Sequence, residues 1–371
     1  MKIIYLYSRI EKNIKASGEA KKAHMQVNAL NQLGIVSEIY IHNQYIPLYK
    51  LRIRLPGYKA YNKRFIDDFL LFLKRKSIDV VYIRKHLIDS SFLELARGIK
   101  KLGIKIIYEI PTYPYDKEWS NIVDWPLLWR EVRYRNKICG LVDRVVTYSC
   151  DNQIFGVKTI KSSNGIETDS IPIREEHPEN DGELVLLGVA AVEKWHGYDR
   201  IIRGIARYYE KNNQKKVTFI IVGEGAELRK LRKLSRNLEV DRYIQFTGSL
   251  HGKQLDQMFN KADIGVGSLG MYRIDLYNGY TLKLREYMAR GLPFIYAYND
   301  KLIESTGCKY CLKFENTNEE IDINRIIDFY NNVLLGHSVS NEMRHLAEKY
   351  LTWHSQMKPI ADYLLGGEIN D

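Results

Sequence analysis

Long apolar runs are missing from this 371-residue sequence. The longest, Leu184 to Val192, is about half of the ~20 residues that a bilayer-spanning helix needs, so no transmembrane segment is expected. Arg9, Glu11 and Lys12 break the first apolar stretch, which excludes the uninterrupted core of a signal peptide and leads us to expect a cytoplasmic protein. Cysteine is scarce as well: four residues in a chain of this length do not make a disulfide framework. Cys308 and Cys311 form a lone CxxC, and Cys139 and Cys150 are not spaced like a second zinc knuckle. No metal site is therefore expected, and all four are read as reduced, mostly buried thiols. No internal repeat is visible beyond two halves that each alternate strand and helix.

Hydrophobic residues at 45% and charged ones at 27% describe an ordinary globular protein, and the length favours two domains over one. The net charge of +11 is unevenly spread. Residues 1–165 hold 29 Lys and Arg against 15 Asp and Glu, an excess of +14, whereas the remainder carries −3. A half so basic suits a polyanionic surface, either an anionic membrane or nucleic acid. The segment from Tyr45 to Arg64 sharpens this. Tyr45, Tyr49, Tyr58 and Tyr61 sit among Lys50, Arg52, Arg54, Lys59, Lys63 and Arg64, with Leu48, Leu51, Ile53 and Leu55 between them. Such interleaving fits the interfacial zone of an anionic bilayer, stacking on single-stranded nucleic acid, or a surface helix with snorkelling cations.

The order of elements predicts an α/β fold. Lys2 to Tyr7 reads as a strand, Ser8 to Ser17 as a loop, and Gly18 opens a helix in which Ala23, Val27, Leu30 and Leu33 recur at helical spacing. Strand, loop, and helix begun by a glycine is how doubly wound folds start. Ile35 to Ile41, Val80 to Ile83, Lys105 to Glu109 and Val142 to Tyr148 read as further strands. Phe65 to Lys76, Ser91 to Leu102 and Arg130 to Gly140 read as helices. PTYPYDKEW after Glu109 is rich in turn formers and aromatics, and its Asp116 and Glu118 are candidate acids, bases or sugar ligands. Glu167 to Glu183, polar with Pro172 and Pro178, is a plausible linker.

The second half repeats the theme. Leu184 to Val189 is a strand, followed by EKWHG and a helix with Ile201, Ile202, Ile205, Tyr208 and Tyr209 on its buried stripe. VTFIIVGEG, from Val217 to Gly225, runs into a glycine turn, and Val240 to Gly248 reads as the next strand. NGYTLKLREYMARGLPFI, from Asn278 to Ile295, is the most informative stretch: a loop, a short helix stopped by Gly291 and Pro293, then an apolar strand. Lys283, Glu286 and Arg290 fall at spacings of three and four, so they share one helical face. Either they pair with one another on a solvated face, or they address one ligand while Gly279 leaves the first-turn amides open to an anion. Tyr350 to Leu365 reads as the last helix.

LKLREYMARGLPFI resembles the KLxEYMAxGxPxI signature in the donor domain of group 1 (family 4) glycosyltransferases of the GT-B fold. VGEGAELRKL, FTGSL and FNKADIGVGSLG follow that domain in order and spacing, SSNGI at 162–166 resembles its PNGI turn, and SGEAKK resembles its glycine-containing acceptor loop. The resemblance implies two Rossmann-like doubly wound domains facing a cleft, with a C-terminal helix crossing back to the first. It sets an acceptor domain at 1–168, a donor domain at 169–349 and the crossover helix at 350–371. It also implies a retaining transfer of a hexose from a nucleotide sugar, UDP-linked as the first guess, to a glycan or lipid-linked oligosaccharide of a surface or capsular polysaccharide. No cofactor or metal is implied, and the basic half would rest on the inner face of a cell membrane.

Residue by residue, Glu286 would hold the ribose. Thr247, Gly248 and Ser249 would border the base, with Gly223, Glu224, Gly225 and the run Asn278, Gly279, Tyr280, Thr281 and Leu282 around phosphate and sugar. Gly18 would serve the acceptor loop. Lys283, with Lys194 or His196 opposite, would neutralise the leaving diphosphate, and Asp116 is a candidate acid or base. Three departures stand out: the arginine of GRLxxxKG is missing near Val189 and Ala190, the PTYPYDKEW loop has no histidine, and Asn278 replaces a second glutamate. The last keeps open a non-catalytic partner or sensor of nucleotide sugars, besides a nucleotide-sugar epimerase or a nucleic-acid binder.

Overall fold

The structure, a computed structural model, describes residues 1–9, 18–43, 52–55, 57–116, 124–175, 182–211, 215–334 and 338–367. Glu118, Tyr45, Leu48, Tyr49, Lys50, Leu51 and residues 10–17 of the first loop lie outside them. The chain divides into two compact units, Met1–Ser163 with Trp353–Asp371, and Asn164–Thr352.

The first unit is built on β1 (Lys2–Arg9), β2 (Val36–Asn43), β3 (Val80–Arg84), β4 (Lys105–Ile110), β5 (Arg144–Thr147), β6 (Gln153–Ile154) and β7 (Val157–Lys161). They form one sheet in the order β2-β1-β3-β4-β5-β7-β6. Every ladder is parallel except β6–β7. Parallel strands need cover on both faces, and VVYIR of β3 is accordingly buried at every position. Alternation sends Ile4, Leu6, Val81 and Ile83 to one core, with Phe65 and Phe69 of α2 (Lys63–Lys76) and Phe92, Leu95 and Ile99 of α3 (Ser90–Lys101). Ile3, Tyr5, Val80 and Tyr82 go to the other, with Ala23, Val27 and Leu30 of α1 (Gly18–Gln32). Trp353, Met357, Ile360 and Leu364 of the C-terminal helix Trp353–Leu364 complete that second core.

The second unit has β8 (Glu183–Val189), β9 (Lys216–Val222), β10 (Ile244–Gly248), β11 (Ile264–Val266), β12 (Phe294–Tyr296) and β13 (Cys311–Lys313). Their order, β10-β9-β8-β11-β12-β13, is that of a dinucleotide-binding sheet, and the direction of winding reverses between β8 and β11. The loops leaving the carboxyl ends of those two strands therefore lead to helices on opposite faces of the sheet. Ligands of open α/β sheets bind at such a point.

Several element boundaries differ from the sequence reading. The helix α4 (Trp125–Arg135) starts before Arg130 and takes Pro126 into its first turn, where a missing N–H costs nothing. It ends at Arg135, short of Gly140. β10 begins only at Ile244 because Asp241–Tyr243 is a 3-10 turn. Tyr350 ends one helix and Trp353 begins another, since Ile166 takes the Leu351 carbonyl (2.9 Å) and bridges to Thr352. Burial of all four thiols is also corrected: Cys139 and Cys150 are exposed, Cys308 and Cys311 half-buried.

Candidate functional site

In the second unit, α5 (Tyr198–Glu210), α6 (Leu228–Asn237), α7 (Lys253–Lys261) and α8 (Leu282–Arg290) follow the strands. After β8 the chain passes through a 3-10 turn, Lys194–His196, and enters α5 at Gly197, whose φ of 63° is left-handed. A side chain at Gly197 would lie 2.7 Å from the Gly270 nitrogen, so the loops after β8 and β11 touch backbone to backbone. Leu269 N–H donates to the His196 carbonyl (2.9 Å) and Gly270 N–H to that of Trp195 (3.1 Å). On the other side Gly223, at φ 124°, lets the turn after β9 press on the Ala190 carbonyl. Val192 N–H reaches the Glu224 carbonyl at 2.7 Å, and Gly223 N–H that of Gly248 at 2.8 Å. Gly223, Glu224 and Gly225 thus adjoin the Ala190–Gly197 loop, Gly248 adjoins Gly223 and Thr247 the Ile221 carbonyl, with Glu224, Gly225 and Ser249 exposed.

Thr281 is the N-cap of α8, yet its side chain makes no cap; its hydroxyl meets Tyr298 Oη at 2.6 Å. Among the described residues nothing accepts from the Leu282 or Lys283 amide. The helix start therefore offers unsatisfied N–H groups and the positive end of its dipole. Gly279 contributes differently from the sequence expectation. Its own amide is taken by the Asn299 carbonyl (2.9 Å), and its bareness spares the Tyr298 ring, 3.0 Å from where a Cβ would stand. Asn278 is exposed and accepts from Asn299 Nδ2 at 3.2 Å. Tyr280 gives its carbonyl to Asn164 Nδ2 (2.6 Å), and the buried Asn164 Oδ1 has no partner.

Lys283 projects from the first turn of α8 to Tyr198 Oη, donating at 2.9 Å. No carboxylate pairs with it among the described residues, and burial pushes its ammonium down to about 7. Other cations nearby are already engaged. Arg273 is held by Asp199 through two bonds of 2.7 and 2.9 Å, and Arg200 by the main-chain carbonyls of Leu269, Glu315 and Glu319. Arg285 pairs with Asp300, both fully buried. Lys283 is therefore a half-buried charge without a counter-ion among the described residues, which an anion would complete. Lys194 is exposed, and its side chain makes no ion pair among the described residues.

His196 is not a second cation. Burial and the neighbouring Lys283 push its imidazole down to about 2. Nδ1 accepts from the Glu193 amide at 3.0 Å, so the proton sits on Nε2 and His196 acts as a neutral donor. Glu286 and Arg290 realise the pairing alternative: Arg290 Nε donates to Glu286 at 3.0 Å, and its other nitrogen to Asp256 at 2.8 Å. Arg290 lies buried over Phe259, so only Lys283 and the half-buried Glu286 remain of the shared face. Gly18 and Asp116 belong to the first unit, where Gly18 opens α1 and both oxygens of Asp116 are bound by Arg135. Sequence reasoning missed Tyr198, Asn164 and Tyr298: the first two stand beside Gly197 and Gly165, and Tyr298 carries no comparable mark.

Two parallel-sheet Rossmann-like units match solved GT-B glycosyltransferase structures over nearly the whole chain. A glycosyltransferase from Rickettsia africae ESF-5 superposes with TM-score 0.65 at 13% identity, covering 99% of each chain. The lipopolysaccharide outer core galactosyltransferase WaaB, in its apo form, gives 0.62 at 15% identity, over 98% of this chain and 99% of its own. Anabaena Alr3699/HepE, solved with UDP, gives 0.62 at 13%, over 98% and 100%. Residues 169–319, within the second unit, match the family model of glycosyl transferases group 1. No curated protein matches the chain.

Proposed function

We propose that the protein transfers a hexose from a nucleotide sugar, a UDP-sugar as first choice, to a glycan or lipid-linked oligosaccharide hydroxyl in surface polysaccharide synthesis. The observation that carries this reading is Lys283, a half-buried lysine without a carboxylate among the described residues, at the uncapped start of α8 within the stretch that matches the glycosyl transferases group 1 model. Departure of a nucleoside diphosphate builds negative charge on phosphate while the sugar ring becomes cationic. A fixed ammonium and helix amides counter the first without rearranging at the moment of reaction. His196 Nε2–H and Lys194 lie on the facing loop, and Glu286 orients the ribose. Neutralisation by these groups supports a metal-independent transfer, and the resemblance to group 1 glycosyltransferases supports retention of configuration.

Incubation with a panel of nucleotide sugars and glycan acceptors, with chelator present, is expected to release nucleoside diphosphate. Binding of nucleoside diphosphate without turnover of any donor would instead identify a sensor or partner, the outcome that neutral Asn278 favours. Absence of both binding and turnover overturns the reading.

A further inference from the structure

We infer that the outer face of α4 in the first unit docks on an anionic lipid bilayer. Trp125, Trp129 and Val132 are 61%, 63% and 46% exposed, and steps of four and three set them on one side of the helix. The opposite side is anchored. Arg130 donates to the Tyr58 carbonyl at 2.8 Å, and the buried Glu131 accepts from Ile88 N–H and Tyr115 Oη at 2.7 Å each. Two indoles held in water by a rigid, packed helix are a cost that a partner removes.

Charge identifies the partner. Asp124 at the N-cap is consumed by Arg54 (3.1 Å to Nε), which ties the segment holding the exposed Leu55 and Arg52 to the start of α4. Lys59, Arg133 and Lys137 are exposed, and the Arg133 guanidinium lies 5.4 Å from the Trp129 ring centre. Tryptophan edged by cations, with aliphatic side chains between, matches the headgroup boundary of an anionic membrane. A second copy would oppose these cations to themselves, and the aliphatic Val132 and Leu55 add surface that acyl chains bury and nucleobases do not stack on. The +14 excess of residues 1–165 provides the long-range attraction. The inference stands apart from the donor site.

Sedimentation of the full chain with phosphatidylcholine vesicles, with and without phosphatidylglycerol, tests it. Wild type is expected to partition onto the anionic vesicles, less so as salt rises, with a blue shift of tryptophan emission and quenching by brominated acyl chains. W125A/W129A and R133E/K137E are each expected to lower partitioning by at least about tenfold, at unchanged melting temperature. Failure of wild type to bind, or W125A/W129A binding like wild type, overturns the proposal. So does an effect of these substitutions on oligomeric mass or oligonucleotide binding in place of vesicles. Nucleoside diphosphate binding by both variants is expected to stay at the wild-type level, so this result and that of the donor site separate.

Discussion

At the residue scale the donor site turns on the proton of Lys283. Its folded pKa lies near 7, below its ordinary 10.5, so the ligand-free protein binds fewer protons than the unfolded chain between those values. The cost of burying the ammonium is thus full below pH 7 and is relieved as pH rises toward 10.5. An anion reverses the balance, because it favours the charged form. Nucleoside diphosphate affinity, measured by calorimetry, is expected to be steady just below pH 7 and to fall above it. K283M is expected to weaken binding by roughly 10- to 150-fold, the worth of about 1.5–3 kcal/mol for a hydrogen bond to a charged group, and to abolish that pH dependence. Unchanged affinity in K283M would remove the residue from the site. His196 contributes no titration in this range.

At the scale of elements, the position of α8 is set by groups that never meet a ligand. Arg285 and Asp300 pair at zero exposure, and Asp300 also caps the following helix by accepting from Ile303 N–H at 3.2 Å. Tyr287 Oη spans the Leu187 and Val266 carbonyls at 3.3 and 3.1 Å, fastening the helix across the switch point. Asp300→Ala leaves a buried guanidinium without its partner and is expected to cost about 3–5 kcal/mol in denaturant unfolding. An effect under 1 kcal/mol would show that the pair is not what holds α8. In the first unit the counterpart is Glu109, fully buried on β4. Burial alone would raise its pKa, but Arg84 and Lys22, with hydrogen bonds from Tyr82 and Gln26, hold it below the ordinary value.

At the scale of the whole molecule the chain order and the units do not coincide. The C-terminal helix closes the core of the first unit through Trp353, Met357, Ile360, Ala361 and Leu364. Truncation after Thr352 is therefore expected to strip α1 and β7 of their cover and unfold Met1–Ser163, while Asn164–Thr352 retains nucleoside diphosphate binding. Calorimetry should then show one transition lost and one kept. Loss of both would mean that the second unit depends on the first for its fold.

Unbroken apolar runs made the parallel sheets legible, because strands covered on both faces must be continuously apolar, as in Val80–Ile83 and Phe219–Val222. Glycines at 197, 223, 248 and 291 marked the turns for a similarly local reason: each needs φ above zero. Partnership was not legible. Whether Lys283, Glu286 and Arg290 serve a ligand or one another depends on Tyr198, Asp256 and Phe259, which lie between 24 and 92 residues away in sequence and are brought near only by the packing of α5 and α7. Nor did sequence reveal that the indoles of Trp125 and Trp129 stay in water, since an amphipathic pattern states that a helix has two faces and the tertiary contacts of Arg130 and Glu131 decide which one is covered.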